Sequence, residues 1–148
     1  QSDKKRILDR QQIPQYQFAN GSLNYYDYID AHDAEIRYTD EALSVLIEQL
    51  KRKGLWDDAL VIFTSDHGES FGEHNIYFEH VFHLWEETMH VPLAIRLPQG
   101  DNDSKTRRVR GVCSPMDMMP TILDYLDIRS RKKTDAKSIM PLISILEP

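Results

Sequence analysis

Residues 59–69 carry the sequence ALVIFTSDHGE, and this stretch decides the fold class that we predict. Residues 59–64 are apolar or β-branched without alternation, which is typical of a strand buried on both faces of a sheet. The strand ends abruptly at Ser65, where polar residues begin. Because ligands of open α/β sheets bind beyond the carboxyl ends of the strands, Asp66 and His67 stand where a functional site is expected.

The segment before this strand predicts one long helix. Apolar residues recur at three- and four-residue steps over 36–50, so most of one helical face is apolar. Gly54 is a typical helix stop, and the basic residues before it suit the negative end of the helix dipole. The earliest start is Leu23, with Ser22 as its cap. Residues 1–22 are polar and predict an irregular lead-in.

The segment after the strand predicts further elements. A second strand fits residues 91–97, a polar loop fits 99–108 and a short strand fits 109–112. Ser114 begins a helix with the sequence of a capping box. The order of elements over 23–148 predicts an α/β fold with a mainly parallel sheet. Two or three strands are too few for a covered parallel sheet, which suggests part of a larger domain.

Composition narrows the class of protein. The 148 residues match one domain in length, and 41% of them are apolar, enough for a sizeable core. The net charge of −6 argues against a nucleic-acid partner, and the basic clusters at 105–110 and 129–133 are interpreted as solvated loops. Cys113 is the single cysteine, so no disulfide forms within the chain. No apolar run approaches the roughly 20 residues needed to span a bilayer.

Asp66 and His67 are candidate metal ligands because of their chemistry. A carboxylate and an imidazole in one loop can turn toward a single ion, and Gly68 allows the tight backbone path that this requires. The pair suits zinc or manganese better than calcium, which prefers oxygen ligands. A simple strand-ending turn, in which Asp66 accepts backbone hydrogen bonds, explains the same residues equally well.

Five of the six histidines lie between residues 67 and 90. His80 is a polar residue among aromatic residues, which favours a positioned role over a solvated one, and histidine near neutral pH can act as an acid, a base or a donor to an anion. His74 lies in a polar loop and is a candidate metal ligand, substrate contact or surface residue. His83 and His90 flank a predicted helical turn, where capping or packing is the better explanation. Glu69 is a candidate acid–base residue, but a solvated or ion-paired role is the better explanation.

Several short motifs in collinear order over residues 24–146 resemble the sulfatases of the alkaline phosphatase superfamily. They are YTDEAL at 38–43, GLWDD at 54–58, VIFTSDHGE at 61–69, GEH at 72–74, VPL at 91–93, IRLP at 95–98, MDMMPTILD at 116–124 and SIMPL at 138–142. The resemblance implies that residues 1–148 are the C-terminal part of a sulfatase catalytic domain. It also implies an α/β fold that forms part of an alkaline-phosphatase-like mixed or parallel sheet with flanking helices.

The resemblance implies roles for individual residues. In such enzymes the acidic residue after this strand and its neighbour bind a divalent cation, and these map to Asp66 and His67. Calcium is the metal of most sulfatases, whereas manganese or zinc is open because His67 stands where many members have Asn. His80 matches the basic residue that contacts the sulfate or the leaving-group oxygen, and His74 is a weaker match for a substrate contact.

One half of the family's chemistry is absent from this sequence. The expected nucleophile is a formylglycine made in a Cys-x-Pro-Ser-Arg motif near the N-terminus of the whole enzyme, and no such motif occurs here. The sequence after Cys113 departs from this motif. The resemblance also implies a first pair of metal-binding aspartates near that N-terminus, and Asp57-Asp58 does not match it, because it follows the long helix instead of preceding it. His32 lies within that helix and is not expected to contact sulfate. The chain alone is therefore expected to be inactive, with the remainder of the domain as its partner and a sulfate ester as substrate.

Two alternatives stay open. A phosphoethanolamine transferase, or a phosphodiester or phosphonate hydrolase of the same superfamily, shares the Ser-Asp-His-Gly-Glu strand end at 65–69. A split or degenerate sulfatase-like chain would be non-catalytic. For the compartment, the resemblance implies a periplasmic, secreted or lysosomal protein.

Overall fold

The computed structural model of the protein describes residues 6–18, 21–80, 82–98, 108–130 and 133–144. The chain divides into two compact units, Gln1–Asp101 and Asn102–Pro148, and each is described by itself. The first unit contains α1 (Tyr25–Arg52), β1 (Val61–Thr64), β2 (Ser70–Phe71), β3 (Tyr77–Glu79), α2 (Glu86–Met89) and β4 (Leu93–Arg96). The second unit contains α3 (Met118–Tyr125) and α4 (Met140–Ser144). The combination of helices and strands agrees with the predicted α/β class.

The predicted long helix is α1, which begins two residues after the earliest predicted start. Its N-cap is Asn24, whose amide donates a hydrogen bond to the Ser22 hydroxyl at 3.1 Å. The helix stop is confirmed at Gly54, whose φ of +67° is the left-handed conformation that favours glycine. The amide of Leu55 donates to the Leu50 carbonyl at 2.9 Å and closes the last turn.

β1 and β4 confirm the two longer predicted strands and pair with each other. The pair is antiparallel, from Val61 opposite Arg96 to Thr64 opposite Leu93. The pair of β2 and β3 is antiparallel as well, so the expected parallel pairing does not occur among the strands that the structure describes. A parallel neighbour requires a crossover, usually a helix. In the described residues of the connection from β1 to β4, no α-helix is longer than the single turn α2.

The sequence predicted that β1 is buried on both faces, and this prediction is wrong, because β1 is only half-buried. Val61 and Ile62 are partly covered, whereas Phe63 is 46% exposed. Apolar side chains of α1, such as Ile36 and Leu46, are exposed as well. Apolar periodicity marks positions suited to burial, but burial also requires a neighbouring layer. Within the first unit, that layer covers only part of these two elements.

The core of the first unit joins the N-terminal segment to β3. Leu8, Ile13, Tyr77 and Phe78 form one buried cluster, and each of them is at most 5% exposed. Tyr28 of α1 stacks on Phe78 with ring centroids 4.3 Å apart. The described part of the N-terminal segment contains a short 3-10 helix and an isolated bridge from Ile7 to Asn24 and is otherwise irregular, as predicted. Because the segment is polar overall, the sequence did not identify Leu8 and Ile13 as two of the four core residues.

In the second unit, a capping box at Ser114 starts the predicted helix. The Ser114 amide donates to Oδ2 of Asp117 at 2.9 Å. Hydrogen bonds from the backbone amides of Lys137 and Ser114 hold the pKa of Asp117 below its ordinary value. The buried hydroxyl of Thr121 in α3 accepts a hydrogen bond from the Ile139 amide at 3.0 Å. This contact ties the start of α4 to α3.

The short strand predicted over 109–112 is wrong. Residues 108–114 have no strand pairing, and Val112 is fully exposed. Most of the predicted loop at 99–108 and parts of both basic clusters lie outside the described residues. Among the helices that are described, none is long and apolar enough to cross a membrane.

Candidate functional site

The chain turns sharply where β1 ends. The Ser65 hydroxyl donates to the His67 carbonyl at 2.8 Å, and the His67 amide donates to Oδ1 of Asp66 at 3.0 Å. The Asp66 side chain is 86% exposed. Its own backbone amide and the neighbouring His67 hold the pKa of Asp66 below its ordinary value, so the carboxylate is the favoured form. The turn predicted as an alternative to a metal site is therefore present, and it presents an anion to solvent.

The ring of His67 is oriented by its own backbone neighbour. Nδ1 of His67 lies 2.8 Å from the Gly68 carbonyl, which can only accept, so Nδ1 carries the hydrogen. In the neutral ring this leaves the lone pair on Nε2, which lies 3.7 Å from Oδ1 of Asp66. Metal-binding histidines commonly donate their second ring nitrogen to a carbonyl in this way.

These two donors fit one side of a cation site. Ligand distances of about 2.1–2.5 Å allow two atoms 3.7 Å apart to bind the same ion. A complete protein site needs more ligands than two. Among the residues that the structure describes, no group of three or more His, Cys, Asp or Glu side chains could hold a metal.

His80 lies beside this pair because of the β2–β3 register. Ser70 pairs with Glu79, so the residues just outside the pair, Glu69 and His80, are neighbours. Nδ1 of His80 lies 3.0 Å from Oε2 of Glu69. The His80 ring stacks on the His67 ring, with centroids 3.8 Å apart and planes 13° from parallel. The structure thus brings the predicted catalytic histidine into contact with a predicted metal ligand.

Gly68 holds this loop against α2. Its amide donates to the Thr88 carbonyl at 2.9 Å. A Cβ atom at this position would lie 2.0 Å from the backbone oxygen of Glu87, so any side chain here would require the loop and α2 to move apart. The buried Thr88 hydroxyl lies 2.8 Å from the His83 carbonyl and 3.0 Å from the Trp85 carbonyl, and its single hydrogen is donated between them, which fixes the turn that Gly68 packs against.

His74 belongs to a different cluster. Its ring centroid lies 4.0 Å from that of Trp85, and its Nε2 lies 3.7 Å from Oε1 of Glu87. His83 also packs on Trp85, with centroids 4.3 Å apart, as the packing interpretation predicted. His90 is 77% exposed and lies 3.0 Å from the Glu86 carboxylate. Sequence reasoning did not identify Trp85, whose packing has no periodic signal.

Comparisons with known proteins point to one family. The sequence model of the family described as Sulfatase matches residues 2–128. The multifunctional alkaline phosphatase superfamily protein PehA of Trinickia caryophylli is 33% identical over 109 residues, which cover 74% of this chain and 21% of that protein. A choline-sulfatase of Rhizobium meliloti is 34% identical over 123 residues, which cover 79% of this chain and 22% of that protein.

A solved structure extends the similarity to the fold. The phosphonate monoester hydrolase SpPMH from Silicibacter pomeroyi superposes with a TM-score of 0.60 and 29% identity. The match covers 74% of this chain and 21% of that structure, in agreement with the expected alkaline-phosphatase-like fold. The chain spans about a fifth of the length of the relatives it matches.

Proposed function

The chain belongs to the sulfatase family, and on that premise we propose that it supplies part of the active site of a sulfuric ester hydrolase. One observation carries the proposal. The exposed carboxylate of Asp66, the oriented ring of His67 and the stacked ring of His80 lie together at the carboxyl end of β1. An anionic ligand, a neutral nitrogen ligand and a second imidazole suit a metal-dependent reaction on an anionic ester.

Asp66 and His67 are proposed as two ligands of a divalent cation. A cation bound there would stabilise the charge that develops on the sulfuryl oxygens and on the attacking nucleophile. Calcium is the first choice because it is the metal of most sulfatases. The imidazole of His67 makes manganese or zinc the alternative, since calcium prefers oxygen ligands.

His80 is proposed as the residue that contacts the sulfate or the leaving-group oxygen. Its Nδ1 is occupied by Glu69, so Nε2 is the nitrogen that remains to face an ester. His74 is a second, weaker contact, because its own partners are Trp85 and Glu87. In both roles the imidazole contacts the substrate directly, and it donates a hydrogen bond to an oxygen that gains charge as the ester bond breaks.

The nucleophile is proposed to lie in the remainder of the domain, as a formylglycine derived from a Cys-x-Pro-Ser-Arg motif. Cys113 is exposed and is followed by a different sequence. Residues 1–148 should therefore release no product from an aryl sulfate with Ca²⁺ or Mn²⁺, whereas the full-length protein should. Clear turnover by the purified chain would show that the chain carries its own nucleophile and would overturn this assignment.

The second candidate is a phosphonate or phosphodiester hydrolase of the same superfamily. The similarity to the phosphonate monoester hydrolase from Silicibacter pomeroyi favours it, as does the shared Ser-Asp-His-Gly-Glu strand end. The discriminating assay compares kcat/KM of the full-length protein for an aryl sulfate, an aryl phosphonate monoester and a phosphodiester. A preference for either phosphorus ester would replace the sulfatase assignment. Inactivity on all three would favour a non-catalytic chain.

A further inference from the structure

A largely buried glutamate that is not one of the predicted site residues contacts His80. Oε2 of Glu69 lies 3.0 Å from Nδ1 of His80, and the two side chains are 21% and 29% exposed. Since an ionised carboxylate only accepts hydrogen bonds, Nδ1 carries the hydrogen. The other oxygen, Oε1, is fully buried and has no hydrogen-bond partner among the described residues. Such a buried oxygen is costly, and in native proteins it calls for a functional or structural explanation.

We infer that Glu69 is a positioning residue for His80, an inference that rests on the proposed function. By accepting the Nδ1 hydrogen, Glu69 selects one tautomer of the imidazole and fixes the plane of its ring. Nε2 is then the nitrogen left to contact the sulfate ester. Carboxylates orient histidines in this way in many metal and catalytic sites.

The fold holds the two residues together from both sides. Glu69 directly precedes β2 and His80 directly follows β3, and the antiparallel pair Ser70–Glu79 brings them side by side. The His80 ring also packs flat on His67, with centroids 3.8 Å apart. Rotation of His80 away from Glu69 would therefore disturb the packing of a proposed metal ligand.

The same unit contains a matched control. Nδ1 of His90 lies 3.0 Å from Oε1 of Glu86, so the atoms and the distance are equivalent. These side chains are 77% and 85% exposed, however, and an exposed pair of this kind holds its geometry weakly. The inference therefore predicts a fixed tautomer for His80 and an averaged one for His90.

Nitrogen-15 NMR of the histidine-labelled full-length protein at a pH of about 8.5, where an ordinary imidazole is neutral, reads the tautomers directly. We expect His80 to be the Nδ1–H tautomer in the wild-type protein. In Glu69→Met, which fills the space without an acceptor, the His80 signals should move toward the averaged values of His90. Glu86→Met should leave His80 unchanged. An averaged or Nε2–H tautomer of His80 in the wild-type protein would overturn the inference, even if Glu69→Met does not fold.

Kinetics of the full-length protein on an aryl sulfate test the functional part. Glu69→Met should lower kcat by about 10–100-fold with a smaller change in KM. Glu69→Gln, whose amide oxygen still accepts a hydrogen bond, should recover much of the loss, and Glu86→Met should be neutral. An unchanged kcat in Glu69→Met would refute the positioning role. If the wild-type protein has no sulfatase activity, the proposed function fails, while the tautomer measurement still decides whether Glu69 orients His80.

Discussion

Replacing Gly68 by alanine tests whether close packing against α2 positions the loop that carries Asp66 and His67. The added Cβ would lie 2.0 Å from the Glu87 backbone oxygen, and real Cβ atoms essentially never come within 3.0 Å of a heavy atom outside their own and the adjacent residues. The loop and α2 must therefore separate by at least 1.0 Å, the difference between these distances. Such a shift would also weaken the hydrogen bond from the Gly68 amide to the Thr88 carbonyl, which is now 2.9 Å long.

A displacement of about 1 Å at a catalytic group costs on the order of 10²-fold in rate. Overpacking of this kind also costs about 1–3 kcal/mol of stability. We therefore expect Gly68→Ala in the full-length protein to lower kcat/KM for an aryl sulfate by roughly 100-fold. Its melting temperature should fall as well.

The matched control is Gly111→Ala, because the nearest atom to its added Cβ is a flexible side-chain methyl carbon of Leu142 at 3.2 Å. This variant should keep both activity and stability close to the wild type. If Gly68→Ala retained wild-type kcat/KM, the packing of this loop would not control the geometry of the site, and the reasoning would be refuted.

Three further predictions concern metal binding, the core and helix capping. Asp66→Asn and His67→Ala should each weaken binding of Ca²⁺ or Mn²⁺ to the full-length protein by at least about 10-fold in calorimetric titrations; unchanged binding would remove the residue from the proposed site. Ile13→Ala should cost about 2–5 kcal/mol in denaturant unfolding, whereas Leu84→Ala, at an 85% exposed position, should cost little. Because the pKa of Asp117 is lowered in the folded state, its carboxylate stabilises the fold at pH values above the ordinary carboxyl pKa. This stabilisation is lost as the pH falls through the pKa of Asp117 in the folded state. Asp117→Asn should therefore flatten the acid dependence of unfolding in the second unit, and an unchanged pH profile would contradict the capping role.

Local signals in the sequence predicted several elements well. A helix stop at Gly54 and a capping box at Ser114 depend only on residues that are close together in the chain, so both can be predicted before the fold is known. The strand end at Asp66 and His67 was predictable for the same reason. The link between these residues and His80 came from the resemblance, because nothing in the local sequence indicates which residue lies opposite the loop.

Long-range pairing explains what the sequence did not reveal. β2 and β3 have two and three residues, too few for a detectable period, so the contact of Glu69 with His80 could not be derived. Leu8 and Ile13 are isolated apolar residues in a polar segment, and only their packing against β3 identifies them as core. The β-branched residues at 109–112 led to the opposite error, in which an element was predicted that does not form. Their propensity predicted a strand, but strands form only where a partner is present.

The half-covered state of β1 has a consequence for handling the chain by itself. Val61, Ile62 and Phe63 form an uncharged, β-branched and aromatic run, and within the described residues β4 is their only paired neighbour. The other edge of β1 therefore offers unpaired backbone groups to any similar strand, which is the usual starting point of edge-to-edge aggregation. Recombinant preparations of these 148 residues should become turbid as their concentration rises. A lysine in place of Phe63, which is 46% exposed, should keep them clear for longer.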